Sequence, residues 1–91
     1  MLAAPRTGIG SPPELTLYGR SYCHLCEDMQ VALLPGQSAG WYRLAVVDVD
    51  SDPELEARLG ERVPVLMLGN VEICHYHLDA ERLREVLGAI R

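Results

Sequence analysis

Two cysteines three residues apart, Cys23 and Cys26, are the side chains best suited to chemistry in this 91-residue chain. They stand in Tyr22-Cys23-His24-Leu25-Cys26, after an alternating run, Leu15-Thr16-Leu17-Tyr18, and before a stretch from Glu27 to Leu34 with Met29, Ala32 and Leu33 at helical spacing. A strand, a tight turn at Gly19-Arg20-Ser21 and a helix entered at the first cysteine form the geometry of a redox dithiol. The unpaired N–H groups and macrodipole of a helix N-terminus favour an anion, so Cys23 is expected to be the more acidic thiol. Arg20, three residues upstream, adds positive charge. Cys26, one turn further in, is expected to be better buried and to resolve a mixed disulfide formed on Cys23. A protonated His24 would stabilise the thiolate and make the disulfide more oxidising; a solvated first-turn side chain is the plainer reading.

A second group, Cys74-His75-Tyr76-His77, turns the motif into C-x-x-C…C-x-x-H. Cys23, Cys26, Cys74 and His77 have the donor chemistry of tetrahedral zinc, although the two halves are much further apart than in zinc knuckles and ribbons. Cys74 thus has three readings: a buried bystander that packs as a small apolar group, a third redox cysteine, or a metal or cluster ligand. The acidic run Asp48, Asp50, Asp52, Glu54 and Glu56 alternates with apolar residues, as on a solvated strand end and helix face rather than in a cation site.

The length allows one domain with one modest core. Residues are 48% apolar with no Phe, an ordinary α/β composition, and the formal net charge is −5. That charge, with no run of basic residues, argues against a nucleic-acid or anionic-membrane partner. There is no lysine, which removes a lysine nucleophile or Schiff base. Three cysteines, two of them in one C-x-x-C, do not make a disulfide scaffold. The opening residues hold no apolar stretch suited to a signal peptide or membrane span, so the cytosol is the expected compartment.

The elements that must position the dithiol follow in order. Residues 1–13, rich in Gly, Pro, Ser and Ala, are expected to be a mobile tail, and 14–91 the folded domain. The first strand is Glu14–Tyr18, and the first helix should stop at Pro35-Gly36. Trp41 to Asp50 gives a second strand whose Leu44-Ala45-Val46-Val47 reads as buried on both faces. Asp52 caps a second helix with Pro53 in its first turn, Ser51 and Glu54 forming a capping box, and Gly60 at its end. Arg62 to Leu68 and Val71 to Cys74 make a hairpin across Gly69-Asn70, with Val63-Pro64 a candidate cis bond. Asp79 caps a last helix, Ala80–Leu87. The order is β-α-β-α-β-β-α. Right-handed crossovers make a four-stranded mixed sheet with helices on both faces, the thioredoxin-type fold.

Leu15-Thr16-Leu17-Tyr18 leading to Arg20, Tyr22-Cys23-x-x-Cys26, Arg62-Val63-Pro64-Val65 and Gly69-Asn70-Val71 resemble the glutaredoxin family over roughly residues 14–88. Small bacterial glutaredoxin-like proteins with a C-H-L-C centre share this likeness. The resemblance implies that Cys23 attacks and Cys26 resolves. Arg20 falls where glutaredoxins carry a basic residue for a glutathione carboxylate. Val63, before Pro64, would offer its backbone to a bound cysteinyl peptide, and Tyr22 and His24 would border the substrate. His24-Leu25 replaces the family's Pro-Tyr pair. Cys74-His75 and Tyr76-His77 stand where the family has a glycine pair and a Ser-Asp. The expectation is a cytoplasmic, monomeric thiol–disulfide oxidoreductase with no tightly bound cofactor. It would act on a disulfide-containing protein or small-molecule disulfide, with glutathione or another thiol as co-substrate. The alternatives are a zinc-binding module using Cys23, Cys26, Cys74 and His77, or a protein-interaction domain.

Overall fold

The computed structural model describes residues 12–90. The expected mobile tail lies almost wholly outside the described residues. The elements are β1 (Glu14–Gly19), α1 (His24–Ser38), β2 (Arg43–Asp48), a 3-10 turn (Val49–Ser51), α2 (Pro53–Leu59), β3 (Val65–Leu68), β4 (Val71–His75) and α3 (Ala80–Ala89). They form one four-stranded mixed sheet of order β2-β1-β3-β4, in which β1 runs parallel to β2 and antiparallel to β3, and β3 antiparallel to β4. The β-α-β-α-β-β-α reading and the thioredoxin-like architecture hold.

Strand alternation sends side chains to two faces. On one face Leu15, Leu17 and Leu66 pack with Met29 and Leu33 of α1, Tyr42, and Leu83 and Val86 of α3. On the other, Val65 packs with Val49 and with Leu59 of α2, flanked by Tyr18, Leu55, Val63 and Met67. A bulge between Leu66 and Met67 sets Cys74 opposite Leu66 but Glu72 opposite Met67. The extra residue lets both Ile73 and Cys74 reach the α1–α3 face.

Three local expectations are corrected. Helix α1 does not stop at Pro35-Gly36 but runs to Ser38. Proline costs one helical hydrogen bond, and tertiary contact outweighs the stop signal. The Tyr42 ring lies over Gly36 so closely that a Cβ there would come within 2.6 Å of two ring carbons. The Tyr42 hydroxyl donates to the Leu33 carbonyl at 2.6 Å, and Trp41 N–H donates to the Gly36 carbonyl at 3.0 Å.

Strand β2 is shorter than Trp41–Asp50 and is not buried on both faces. It is an edge strand, with Val46 53% exposed. Ser51 and Glu54 form no capping box. The Ser51 hydroxyl donates to the Asp48 carbonyl, and the Asp52 carboxylate accepts the Glu54 N–H at 2.9 Å.

Candidate dithiol site

Register decides what surrounds the cysteines. Tyr18 at the end of β1 lies opposite Val65, which lies opposite His75, while Gly19 sits beside Asp48. One end of the sheet therefore gathers the loops at 20–23, 49–52, 60–64 and 76–79. The cysteines enter there.

Cys23 is the N-cap of α1, with extended backbone (φ −111°, ψ 107°). Its Sγ accepts the Cys26 N–H at 3.2 Å, in the place a Ser or Asp oxygen takes at an ordinary cap. The two cysteines are joined as a disulfide with Cα atoms 5.2 Å apart. Cys23 is half-buried and Cys26 only 7% exposed, the asymmetry expected of an attacking and a resolving thiol. Gly19 makes room for Cys26, since a Cβ on Gly19 would stand 3.1 Å from its Sγ and 3.2 Å from its Cβ.

His24 occupies the first position of α1 and is exposed. Tyr22 precedes Cys23 with its side chain fully exposed and its backbone at φ 60°, a left-handed conformation costly for any residue with a Cβ. The Val63–Pro64 peptide is cis, Pro64 is buried and Val63 half-buried. The Pro64 carbonyl accepts the Tyr76 N–H at 2.9 Å, which ties the end of β4 to this loop. Tyr76 is also left-handed, at φ 64°. Its hydroxyl donates to the Glu61 carbonyl at 3.0 Å and its ring meets His75 edge-on.

Arg20, expected to face a substrate carboxylate, has its guanidinium against this chain's own carboxylates. Nη2 is 3.4 Å from both Asp50 and Glu56. Beside Cys26 a cleft of about 230 Å³ is walled by Arg20, Ser21, Glu27 and Asp48, with Val46 and Val47 of the edge strand. Part of the acidic run is thus a cradle for one arginine rather than merely a wet surface.

Cys74 does not join the pair. It lies opposite Leu66, which lies opposite Leu17, two residues short of Gly19. With strands about 4.8 Å apart and a rise of about 3.3 Å per residue, it stands about 12 Å from Gly19. Cys74 is a free thiol, and Cys23 and Cys26 are paired with each other. Burial pushes its thiol upward in pKa, partly opposed by a hydrogen bond from the Asp79 backbone. The zinc set is not assembled either: among the described residues no three His, Cys, Asp or Glu side chains are gathered to hold a metal ion.

A charged triad leaves almost no signal in the sequence. Glu72 accepts from Arg62 Nη1 and pairs with His75 Nδ1 at 2.9 Å. The Arg62 hydrogen bond is the main cause that holds the Glu72 carboxyl below its usual range. Its only signal in the sequence is one carboxylate inside an otherwise apolar strand. The partners of Arg20 have less, because nothing in their spacing tells which acid of the run would turn toward it.

A family model described as Glutaredoxin-like domain (DUF836) matches residues 14–88. The chain belongs to this glutaredoxin-like family. It is similar to the solution structure of protein Ne2328 from Nitrosomonas europaea, with a TM-score of 0.75 and 35% identity over 89% of this chain and 98% of that one. The crystal structure of protein XcR50 from X. campestris is similar with a TM-score of 0.62 and 43% identity, over 82% of this chain and 96% of the other. The uncharacterized protein Rv0508 of Mycobacterium tuberculosis is 30% identical over 79 residues, covering 81% of each chain. No helix among the described residues is long and apolar enough to cross a membrane.

Proposed function

We propose that this protein is a thiol–disulfide oxidoreductase that works through the Cys23–Cys26 pair. The observation that carries the reading is the cap of α1. There the sulfur of half-buried Cys23 receives the Cys26 N–H and is joined to the sulfur of the buried Cys26. In the reduced protein the same N–H and the positive end of the helix stabilise a thiolate on Cys23. That thiolate attacks one sulfur of a substrate disulfide. The substrate's S–S bond breaks, one half leaves as a thiolate, and the other is held on Cys23 as a mixed disulfide. Cys26 gives up its proton and attacks the Cys23 sulfur, expelling the second half and closing the Cys23–Cys26 disulfide. Two electrons pass from the protein to the substrate. A thiol reductant, glutathione or another, returns them.

Val63 and Pro64, on the loop before β3, are the backbone against which the substrate chain would lie. Tyr22 and His24 border the attacking sulfur. The reading takes the protein as a cytoplasmic monomer acting on a protein or small-molecule disulfide.

The test is a thiol-trapping titration of the reduced protein in glutathione redox buffers, read by intact mass. Loss of two hydrogens, abolished in both Cys23→Ser and Cys26→Ser, is the expected result. A glutathione adduct should accumulate in Cys26→Ser, on Cys23. A wild-type pair that neither oxidises nor forms an adduct across the range would remove the redox reading.

A further inference from the structure

The oxidoreductase reading leaves the substrate open, and the charges around the cleft bear on it. The cleft beside Cys26 carries Glu27 and Asp48 on its walls and Arg20 as its one arginine. That arginine is already held between Asp50 and Glu56, so the cleft and its arginine together carry four carboxylates against one guanidinium. Arg62, on the loop before β3, is likewise engaged by Glu72. A cation whose charge is already offset by two carboxylates of the fold attracts an incoming carboxylate weakly. The uncompensated field near the dithiol is negative, and such a field raises the local concentration of cations and repels anions. The Tyr22 ring, fully exposed beside Cys23, adds a π face that attracts an ammonium or guanidinium group.

We infer that the site selects a disulfide flanked by positive charge, such as one next to Lys or Arg in a polypeptide, and discriminates against anionic disulfides, oxidised glutathione among them. This rests on the oxidoreductase reading of the same dithiol. The reaction is the one written above: the reduced pair becomes a disulfide and one substrate disulfide becomes two thiols. Asp50 and Glu56 are specificity-determining residues that act through Arg20 and touch neither sulfur.

The experiment uses the full chain, reduced with dithiothreitol and freed of it. The reactions are run at pH 8. The protein is mixed with cystamine (dicationic), 2-hydroxyethyl disulfide (neutral) or 3,3′-dithiodipropionate (dianionic). Formation of the Cys23–Cys26 disulfide is followed by acid quench and intact mass. Each rate is divided by that of free dithiothreitol with the same disulfide, which removes differences between leaving groups.

The normalised rate should fall from cystamine to dithiodipropionate by at least about tenfold at low salt, and the gap should close several-fold by about 0.5 M salt. In Asp50→Asn/Glu56→Gln, Arg20 is unlocked and the gap should narrow by about threefold or more. Salt dependence of the wild-type protein stands even if that variant folds poorly. Equal normalised rates, or a gap that salt leaves untouched, overturns the inference while leaving an active dithiol. Failure to oxidise with all three disulfides would instead remove the oxidoreductase reading itself.

Discussion

Gly19→Ala tests the geometry of the dithiol from behind. An added Cβ would sit 3.1 Å from Cys26 Sγ and 3.2 Å from Cys26 Cβ, each a few tenths of an ångström closer than an ordinary contact. Crowding of this size at a packed site costs about 1 kcal/mol. The two redox states are not affected equally. In the disulfide, Cys26 Sγ is held toward Cys23 and cannot turn away. In the dithiol, its χ1 is free to move the sulfur off the new methyl group. The change in unfolded-chain entropy from glycine to alanine is common to both states and drops out of their difference. The contact with Cys26 Cβ is common to both states, so the oxidised protein should lose up to about 1 kcal/mol relative to the reduced one. That is up to about a fivefold shift in the thiol–disulfide equilibrium toward the dithiol, or a potential up to about 20 mV more positive for two electrons. Urea unfolding of the oxidised and reduced proteins gives one side of this thermodynamic cycle. Equilibration in a dithiothreitol redox buffer, with trapping and intact mass, gives the other. The two must agree. A variant whose disulfide is harder to reduce, or whose two redox states lose stability equally, would show that Gly19 does not set the space behind Cys26.

Two further predictions concern the same end of the sheet. Glu72→Gln should reduce stability by about 1 kcal/mol near pH 6, the scale of a partly exposed ion pair. Because the Glu72 carboxyl is held below its usual range in the folded protein, that contribution is present above the ordinary carboxylate pKa and is lost as pH falls through the lowered one. The wild-type advantage should thus shrink in urea titrations from pH 6 toward pH 3, and an advantage that grows on acidification would contradict the pairing. Tyr22→Gly removes a left-handed tyrosine whose ring is fully exposed, so the fold should lose nothing and gain up to about 1 kcal/mol. A loss above about 1 kcal/mol by thermal or urea unfolding would mean that the ring is packed.

Much of the fold was legible because its signals are local. Asp52 and Asp79 cap the helices they precede, Pro53 opens α2, and Gly69 turns the β3–β4 hairpin at φ 58°. The pairing of Cys23 with Cys26 was legible for the same reason, since three residues on a helix fix two sulfurs near each other. What the sequence hid is set by partners far along the chain. Pro35-Gly36 reads as a helix stop, and only the arrival of Tyr42 over Gly36 makes it a last turn instead. Leu44-Ala45-Val46-Val47 reads as a central strand, but an apolar run does not say where in the sheet it lies, and β2 is at the edge.

The chemistry of the site divides along the same line. Cys23, Cys26, Cys74 and His77 are the right donors for zinc, yet donor identity says nothing about register. A strand pairing that sets Cys74 level with Leu17, two residues short of Gly19, is enough to keep the set apart. Arg20 shows the converse. Its position suggests a binding role for an anion, but its charge is spent on Asp50 and Glu56, 30 and 36 residues away. The dithiol is thus a local property of this chain, whereas the charge around it is a tertiary one. Substitutions in the 3-10 turn or in α2, neither of which supplies a reacting sulfur, should be able to change which disulfides are accepted without changing the chemistry performed on them.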